Sequence, residues 1–171
     1  MTQKSATAYY EYEEKIKNEK IPYYEPWLGE EELAQLTEVI RANWISEGAK
    51  TREFERRLAE LHGVKYALAV SNCTGALIIA MKALGIGPGD EVIVPSFTFI
   101  ASVSSIRLAG ATPVLVDIDA RPLNIDAQAA ERAITPRTKA IIPVHLYGQA
   151  ADMEAIMAVA ARHALPVIED A

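Results

Sequence analysis

The sequence predicts an α/β fold, a mainly parallel sheet with helices on both faces. Three observations carry that expectation. After Gly63 the chain alternates short Val, Ile and Ala runs with helical stretches of about ten residues, the pattern of strand and crossover helix. The runs are apolar at successive positions rather than at every second one, as strands buried on both faces are. Between them stand tight turns such as Gly85-Ile86-Gly87-Pro88-Gly89-Asp90, where glycines supply positive φ and Pro88 a fixed one.

In chain order, residues 1–20 are polar with Lys and Glu interleaved and are expected as a mobile arm. Residues 21–27 contain Pro22 and Pro26, cannot be helical throughout, and are expected to lie extended. From Glu30, the apolar positions Leu33, Leu36, Val39 and Ile40 recur at helical spacing behind an acidic first turn. The stretch Asn43-Trp44-Ile45-Ser46-Glu47-Gly48 breaks that helix. Thr51 is the expected cap of a second helix with the stripe Phe54, Leu58 and Leu61, closed by Gly63. Strands are then expected at 66–70, 91–95, 113–116, 140–144 and 166–168, and helices at 74–84, 101–109, 126–133 and 152–163. The expected organisation is an arm over 1–20, an extended segment with two helices over 21–63, and a main α/β body over 64–171.

Composition narrows the partners. With 171 residues, 50% of them hydrophobic and 23% charged, the chain has material for a core of its own. A formal net charge of -6 leaves no electrostatic footprint for nucleic acid or an anionic membrane. No apolar run approaches the roughly 18 residues that cross a bilayer, and the expected location is the cytoplasm. One cysteine, Cys73, excludes an internal disulfide and a cysteine metal cluster. Asp117 and Asp119 lack further ligands at metal spacing and are expected to organise a turn, so no metal is expected.

In parallel sheets ligands gather beyond the carboxyl ends of the strands, and the residues there are suggestive. Ser71-Asn72-Cys73-Thr74-Gly75 leads from an apolar run into a helix, so unpaired backbone N–H groups and the positive end of the helix dipole converge on one spot. Small side chains let a phosphate approach, and Thr74 adds a hydroxyl. Cys73 reads as a small residue filling the turn, or as a thiol whose pKa the helix N-terminus lowers. The other strand ends offer the Phe97 and Phe99 aromatics, then His145-Leu146-Tyr147-Gly148-Gln149, and finally Glu169 and Asp170. A phosphate cradle, an aromatic plane and a carboxylate on one edge suit a flat, phosphorylated, nitrogen-containing ring.

Several segments resemble those of the DegT/DnrJ/EryC1/StrS sugar aminotransferases, which are fold-type I pyridoxal-phosphate enzymes. They are Trp44-Ile45-Ser46-Glu47-Gly48, Ser71-Asn72-Cys73-Thr74-Gly75-Ala76-Leu77, the 84–93 turn and strand, Pro95-Ser96-Phe97-Thr98-Phe99, Pro143-Val144-His145-Leu146-Tyr147-Gly148-Gln149 and Glu169-Asp170-Ala171. The resemblance runs from about residue 21 to 171, with Cys73 standing where the family usually has Gly. It implies an aspartate-aminotransferase-like large domain, incomplete over these residues, and pyridoxal 5'-phosphate as cofactor.

By the same resemblance, Thr74 and Gly75 match the phosphate-holding positions, and Phe99 the aromatic that stacks on the pyridine ring. Taken alone, Phe99 reads as a core aromatic. Asp170 matches the catalytic carboxylate opposite the pyridine nitrogen, which keeps that nitrogen protonated so the ring can accept electrons. His145 and Tyr147 border the site and reach cofactor or substrate, or else serve as structural hydrogen-bonders. Trp44 and Ser46 line a substrate pocket, expected in a neighbouring subunit of a homodimer, or form a helix-ending turn around a buried Trp. Glu169 is expected in structural hydrogen bonds.

The implied reaction is ping-pong transamination, with glutamate as the expected amino donor and a nucleotide-linked keto sugar as acceptor. The family's Schiff-base lysine lies beyond Asp170, outside these residues, while Lys65, Lys82 and Lys139 are expected at turns or on helices away from the site. The chain is therefore expected to be an N-terminal fragment without turnover of its own. Alternatives are a dehydratase of the same family, with histidine in the lysine's place, and a non-catalytic binding or regulatory role. A reductase on a dinucleotide fold is disfavoured, because residues 71–76 supply one glycine where Gly-x-Gly-x-x-Gly needs three.

Overall fold

A computed structural model describes residues 26–171, so the expected arm over 1–20 and most of the extended segment after it lie outside the described residues. The chain divides into two compact units, one up to Ala67 and one from Leu68 to Ala171.

In the first unit, α1 (Glu30–Arg41) opens with three glutamates that complement the dipole, and Glu32 Oε2 accepts the Gly29 N–H at 2.7 Å. The second helix, α2 (Ala49–His62), begins earlier than the expected Thr51 cap. Gly48 holds the cap position in an extended conformation, and Thr51 lies within the first turn. Gly63 closes α2 at φ 63, with the Val64 N–H donating to Ala59 O at 3.0 Å. The apolar stripes are not buried: Leu33, Leu36, Ile40, Phe54 and Leu61 are each more than half exposed.

The second unit is built on a sheet of order β2-β1-β3. Strand β1 (Glu91–Pro95) is central and buried at every position, with Val92, Ile93 and Val94 packed into cores on both faces. Strands β2 (Thr112–Val116) and β3 (Thr138–Ile141) flank it, both parallel. The expected last strand runs parallel beside β3 through isolated bridges, Ile141 to Val167 and Val144 to Asp170. Its backbone bonds include Ile168 N–H to Ile141 O at 3.0 Å and Asp170 N–H to Pro143 O at 3.0 Å. Pro95 and Pro143 are fully buried.

Alternate residues of each strand serve opposite faces. On one face, α3 (Cys73–Ala83) and α4 (Ile100–Ala109) bring Leu77, Met81 and Ile106 against Val92, Val94 and Ile142. On the other, α5 (Ala127–Arg132) and α6 (Met153–His163) bring Ala130, Ile156 and Val159 against Ile93, Val116 and Ile141. Each large aliphatic side chain so buried contributes about 1.5–3 kcal/mol of transfer free energy. The α3–β1 turn uses the expected positive φ at Gly85 (74°) and Gly89 (91°), and Asp90 Oδ2 accepts the Gly87 N–H at 2.9 Å.

One expected strand is missing. Residues 66–70 form no strand, and Tyr66, Leu68 and Val70 are 73%, 79% and 41% exposed. The unit boundary between Ala67 and Leu68 passes through this run, and an apolar pattern makes a strand only where a ladder receives it. Lys139 lies within β3 rather than on a turn or helix. Among the described residues, no helix is long and apolar enough to cross a membrane.

Candidate active site

Three elements of the second unit converge at the carboxyl rim of the sheet: the start of α3, the start of α4 and the run ending at Asp170. Asn72 caps α3, its Oδ1 accepting the Gly75 N–H at 2.8 Å, while the Ala76 N–H reaches Asn72 O at 3.1 Å. Gly75 therefore has its amide engaged inside the turn. A Cβ there would meet Asn72 Oδ1 at 3.5 Å, an ordinary contact, so the small residue leaves space rather than averting a clash. The N–H groups of Cys73 and Thr74 precede the helix's own ladder and share the positive end of its dipole.

Asp170 sits directly beside this helix start. The Cys73 thiol donates to Asp170 Oδ1 at 3.3 Å, and the Ser102 hydroxyl donates to Oδ2 at 2.6 Å. Ser102 Oγ lies 3.0 Å from Thr98 Oγ1. Thr74 and Asp170 thus share one rim, linked through Cys73.

Cys73 is no activated nucleophile. Burial first, then the hydrogen bond to Asp170 and its negative charge, push the thiol's pKa up, opposite to the lowering expected from the helix N-terminus. The residue carries no positive φ, which is why a side chain is accommodated at that position.

Phe99 occupies the cap position of α4 and is 73% exposed. It is not the core aromatic that its strand-end position alone suggests. Its chain neighbour Thr98 belongs to the hydrogen-bonded chain leading to Asp170, so α4 carries both.

His145 has both ring nitrogens engaged. The Ala151 N–H donates to Nδ1 at 3.1 Å, and Nε2 lies 3.0 Å from Glu169 Oε2. A backbone N–H can only donate, so Nδ1 is the acceptor and Nε2 carries the proton given to Glu169. Glu169 is accordingly in a structural hydrogen bond. Tyr147, two residues on, is exposed and held at φ 55, ψ 31, an uncommon conformation for a side-chain-bearing residue. Buried Asn124 braces this loop, donating to Gln149 O at 2.9 Å and accepting the Leu146 N–H at 3.3 Å.

Trp44 and Ser46 line a shallow groove of the first unit together with Val39, Ile45 and Thr51. Trp44 is exposed rather than buried, and its Nε1–H donates to Glu47 O at 2.8 Å. Asp119 Oδ1 accepts the Arg121 N–H at 3.0 Å, organising its turn.

Sequence reasoning missed Ser102, Thr98 and Asn124. The signal for Ser102 was a polar residue on the buried face of an apolar helix, one turn before Ile106. Asn124 stands beside Ile125 before α5, and its burial was not legible.

Comparison with known proteins gives one consistent result. The family model described as the DegT/DnrJ/EryC1/StrS aminotransferase family matches residues 26–171. The chain is 50% identical over 155 residues to the spore coat polysaccharide biosynthesis protein SpsC of Bacillus subtilis, covering 91% of this chain and 40% of that protein. It is 56% identical over 147 residues to GDP-perosamine synthase of Caulobacter vibrioides, covering 85% and 40%. Among solved structures, NtdA of Bacillus subtilis with its bound cofactor PMP superposes with a TM-score of 0.79 at 38% identity, covering 90% of this chain and 38% of that one. The chain spans 40% of the length of the curated relatives it matches.

Proposed function

Because the chain belongs to the DegT/DnrJ/EryC1/StrS aminotransferase family, we propose that it forms the coenzyme-holding part of a pyridoxal-phosphate-dependent aminotransferase acting on a nucleotide-linked keto sugar. One observation carries this reading: Asp170, the candidate partner of a ring nitrogen, touches the first residue of α3, the helix whose N-terminus is the candidate phosphate cradle.

The donor set fits the coenzyme. Backbone N–H groups at the start of α3, with the Thr74 hydroxyl, suit a phosphate dianion. An exposed Phe99 ring offers a stacking plane. A carboxylate suits a protonated heterocyclic nitrogen. When bound, pyridoxal phosphate supplies an electron sink for the carbon that exchanges its amine.

This chain's residues then do the following. Thr74 and the helix start anchor the phosphate, and Gly75 leaves room for it. Phe99 fixes the plane of the ring, and Asp170 holds the proton on its nitrogen. His145, tied to Ala151 and Glu169, positions its loop, and that loop presents Tyr147 toward the sugar. Trp44 and Ser46 contact substrate in the site of a second copy of the chain. Glutamate is the amino donor, the working enzyme is a homodimer, and it acts in the cytoplasm.

The test is binding of pyridoxamine 5'-phosphate, measured by calorimetry. The unsubstituted chain is expected to bind, with inorganic phosphate competing. Thr74→Ala and Asp170→Asn each lose a charge-assisted hydrogen bond worth about 1.5–3 kcal/mol, tenfold or more in affinity. Absence of binding, or binding indifferent to both substitutions, rejects the reading.

A further inference from the structure

Helix α4 carries three serines, and they behave differently. Ser105 Oγ donates to Ser102 O at 3.0 Å, and Ser104 Oγ reaches Ala101 O at 3.4 Å. Both make the short-range bond back along the helix that serines ordinarily make. Ser102, 1% exposed, instead gives its proton to Asp170, 68 positions along the chain, at 2.6 Å.

The direction of the whole chain of bonds follows. An ionised carboxylate only accepts, so Ser102 is the donor to Asp170 and its one proton is committed. The 3.0 Å contact between Thr98 and Ser102 must then run from the Thr98 hydroxyl to Ser102 Oγ. Each hydroxyl polarises the next, and the last bond to the carboxylate is strengthened. On the other oxygen sits the Cys73 thiol, a weaker donor. With one donor on each oxygen, the carboxylate plane is fixed between two helices, and each oxygen keeps a further lone-pair direction for a ligand.

We propose that Ser102, backed by Thr98, is the positioning residue for Asp170, setting the orientation in which its carboxylate meets the nitrogen of a heterocyclic coenzyme, with Cys73 as the secondary support. The inference rests on the coenzyme reading above and deepens it. Ser102 touches neither coenzyme nor substrate in this assignment. It acts only through Asp170.

Ser102→Ala and Ser102→Thr, each alone and combined with Asp170→Asn, test it through the affinity for pyridoxamine 5'-phosphate and the induced circular dichroism of the saturated complex. Ser102→Ala is expected to weaken binding about tenfold, the equivalent of one hydrogen bond to a charged group, and to reduce the dichroism per bound molecule, since ring orientation is no longer fixed. Ser102→Thr keeps the hydroxyl and is expected to restore both. On the Asp170→Asn background, Ser102→Ala is expected to change affinity less than about twofold, as residues acting through a shared partner do. Should Ser102→Ala fail to fold, Thr98→Val, which removes the donor behind Ser102, is read in its place with a loss of about threefold. The proposal is overturned if Ser102→Ala leaves affinity and dichroism unchanged, or if it costs as much on the Asp170→Asn background as alone, the mark of a packing role. Failure of the unsubstituted protein to bind overturns the coenzyme reading and this inference with it. Binding weakened by Asp170→Asn but unaffected by every Ser102 substitution overturns the inference only.

Discussion

Glycine at position 48 leaves room for an indole. A Cβ built there would lie 2.7 Å from Trp44 Cδ1 and 3.0 Å from Nε1, and the ring is pinned by its bond to Glu47 O. Gly48→Ala must displace the ring and also puts a poor capping residue at the start of α2, at a cost of roughly 1 kcal/mol. A lowered thermal midpoint together with a shifted tryptophan emission is the expected result, and unchanged emission would show the ring is not held as described. Cys73 gives a second residue-level outcome. Since its pKa is raised, its thiolate fraction at neutral pH falls below that of a free thiol, and iodoacetamide should react with it more slowly than with a free cysteine at the same pH. Asp170→Asn removes the negative charge but neither the burial nor an oxygen able to accept the thiol proton, so alkylation is expected to speed up while staying slower than for free cysteine. Rapid alkylation of the unsubstituted protein near pH 7 would contradict the assignment.

Among the elements, β1 depends on more than its apolar residues. Glu91, buried at its start, accepts from the Thr135 hydroxyl and from Arg137 Nε at 2.9 Å, tying the turn before β3 to the central strand. The bond from Thr135 first, and that from Arg137 next, hold the Glu91 carboxyl below its usual range. A carboxyl depressed in the folded state contributes stability in full above its unfolded value of about 4.3, and that contribution is lost as pH falls through the folded value. Glu91→Gln should therefore melt lower than the unsubstituted protein at pH 7, with the gap closing as acid is added; a gap independent of pH would mean the charge is irrelevant. Much at this scale was legible in the sequence. The bounds 91–95 were read to the residue, because five successive buried positions between Gly-Asp and Ser have no other arrangement in a parallel sheet. Residues 66–70 were misread, because hydrophobic pattern states what a segment can pair with and not whether a neighbour arrives. Ser102 escaped notice for a related reason: its partner lies across the fold, and no local spacing encodes it.

For the molecule as a whole, the boundary between units is the natural point of attack. Lys65 stands outside the helices, beside the exposed run at 66–70, and its ammonium lies 4.9 Å from the Tyr66 ring centroid. Among the described residues, trypsin is expected to cut first after Lys65, leaving a product over 66–171 that resists further digestion and is identified by mass; first cleavage within 91–163 would show that the second unit is not the more robust one. The family and fold class were readable because the motifs are local strings, whereas the join between units is a property of packing. Pro95 and Pro143 give the sheet its last instruction. Extending the pairing of Ile93 with Ile141 by two residues puts these prolines level with each other. Neither has an amide hydrogen to give: Pro95 leaves a gap in the seam with β3, and Pro143, whose carbonyl accepts the Asp170 N–H at 3.0 Å, leaves one in the seam with the run ending at Asp170. Two imino acids thereby loosen adjacent seams where the sheet ends, and Pro95→Ala, by returning an amide to the seam with β3, would let that one begin to close.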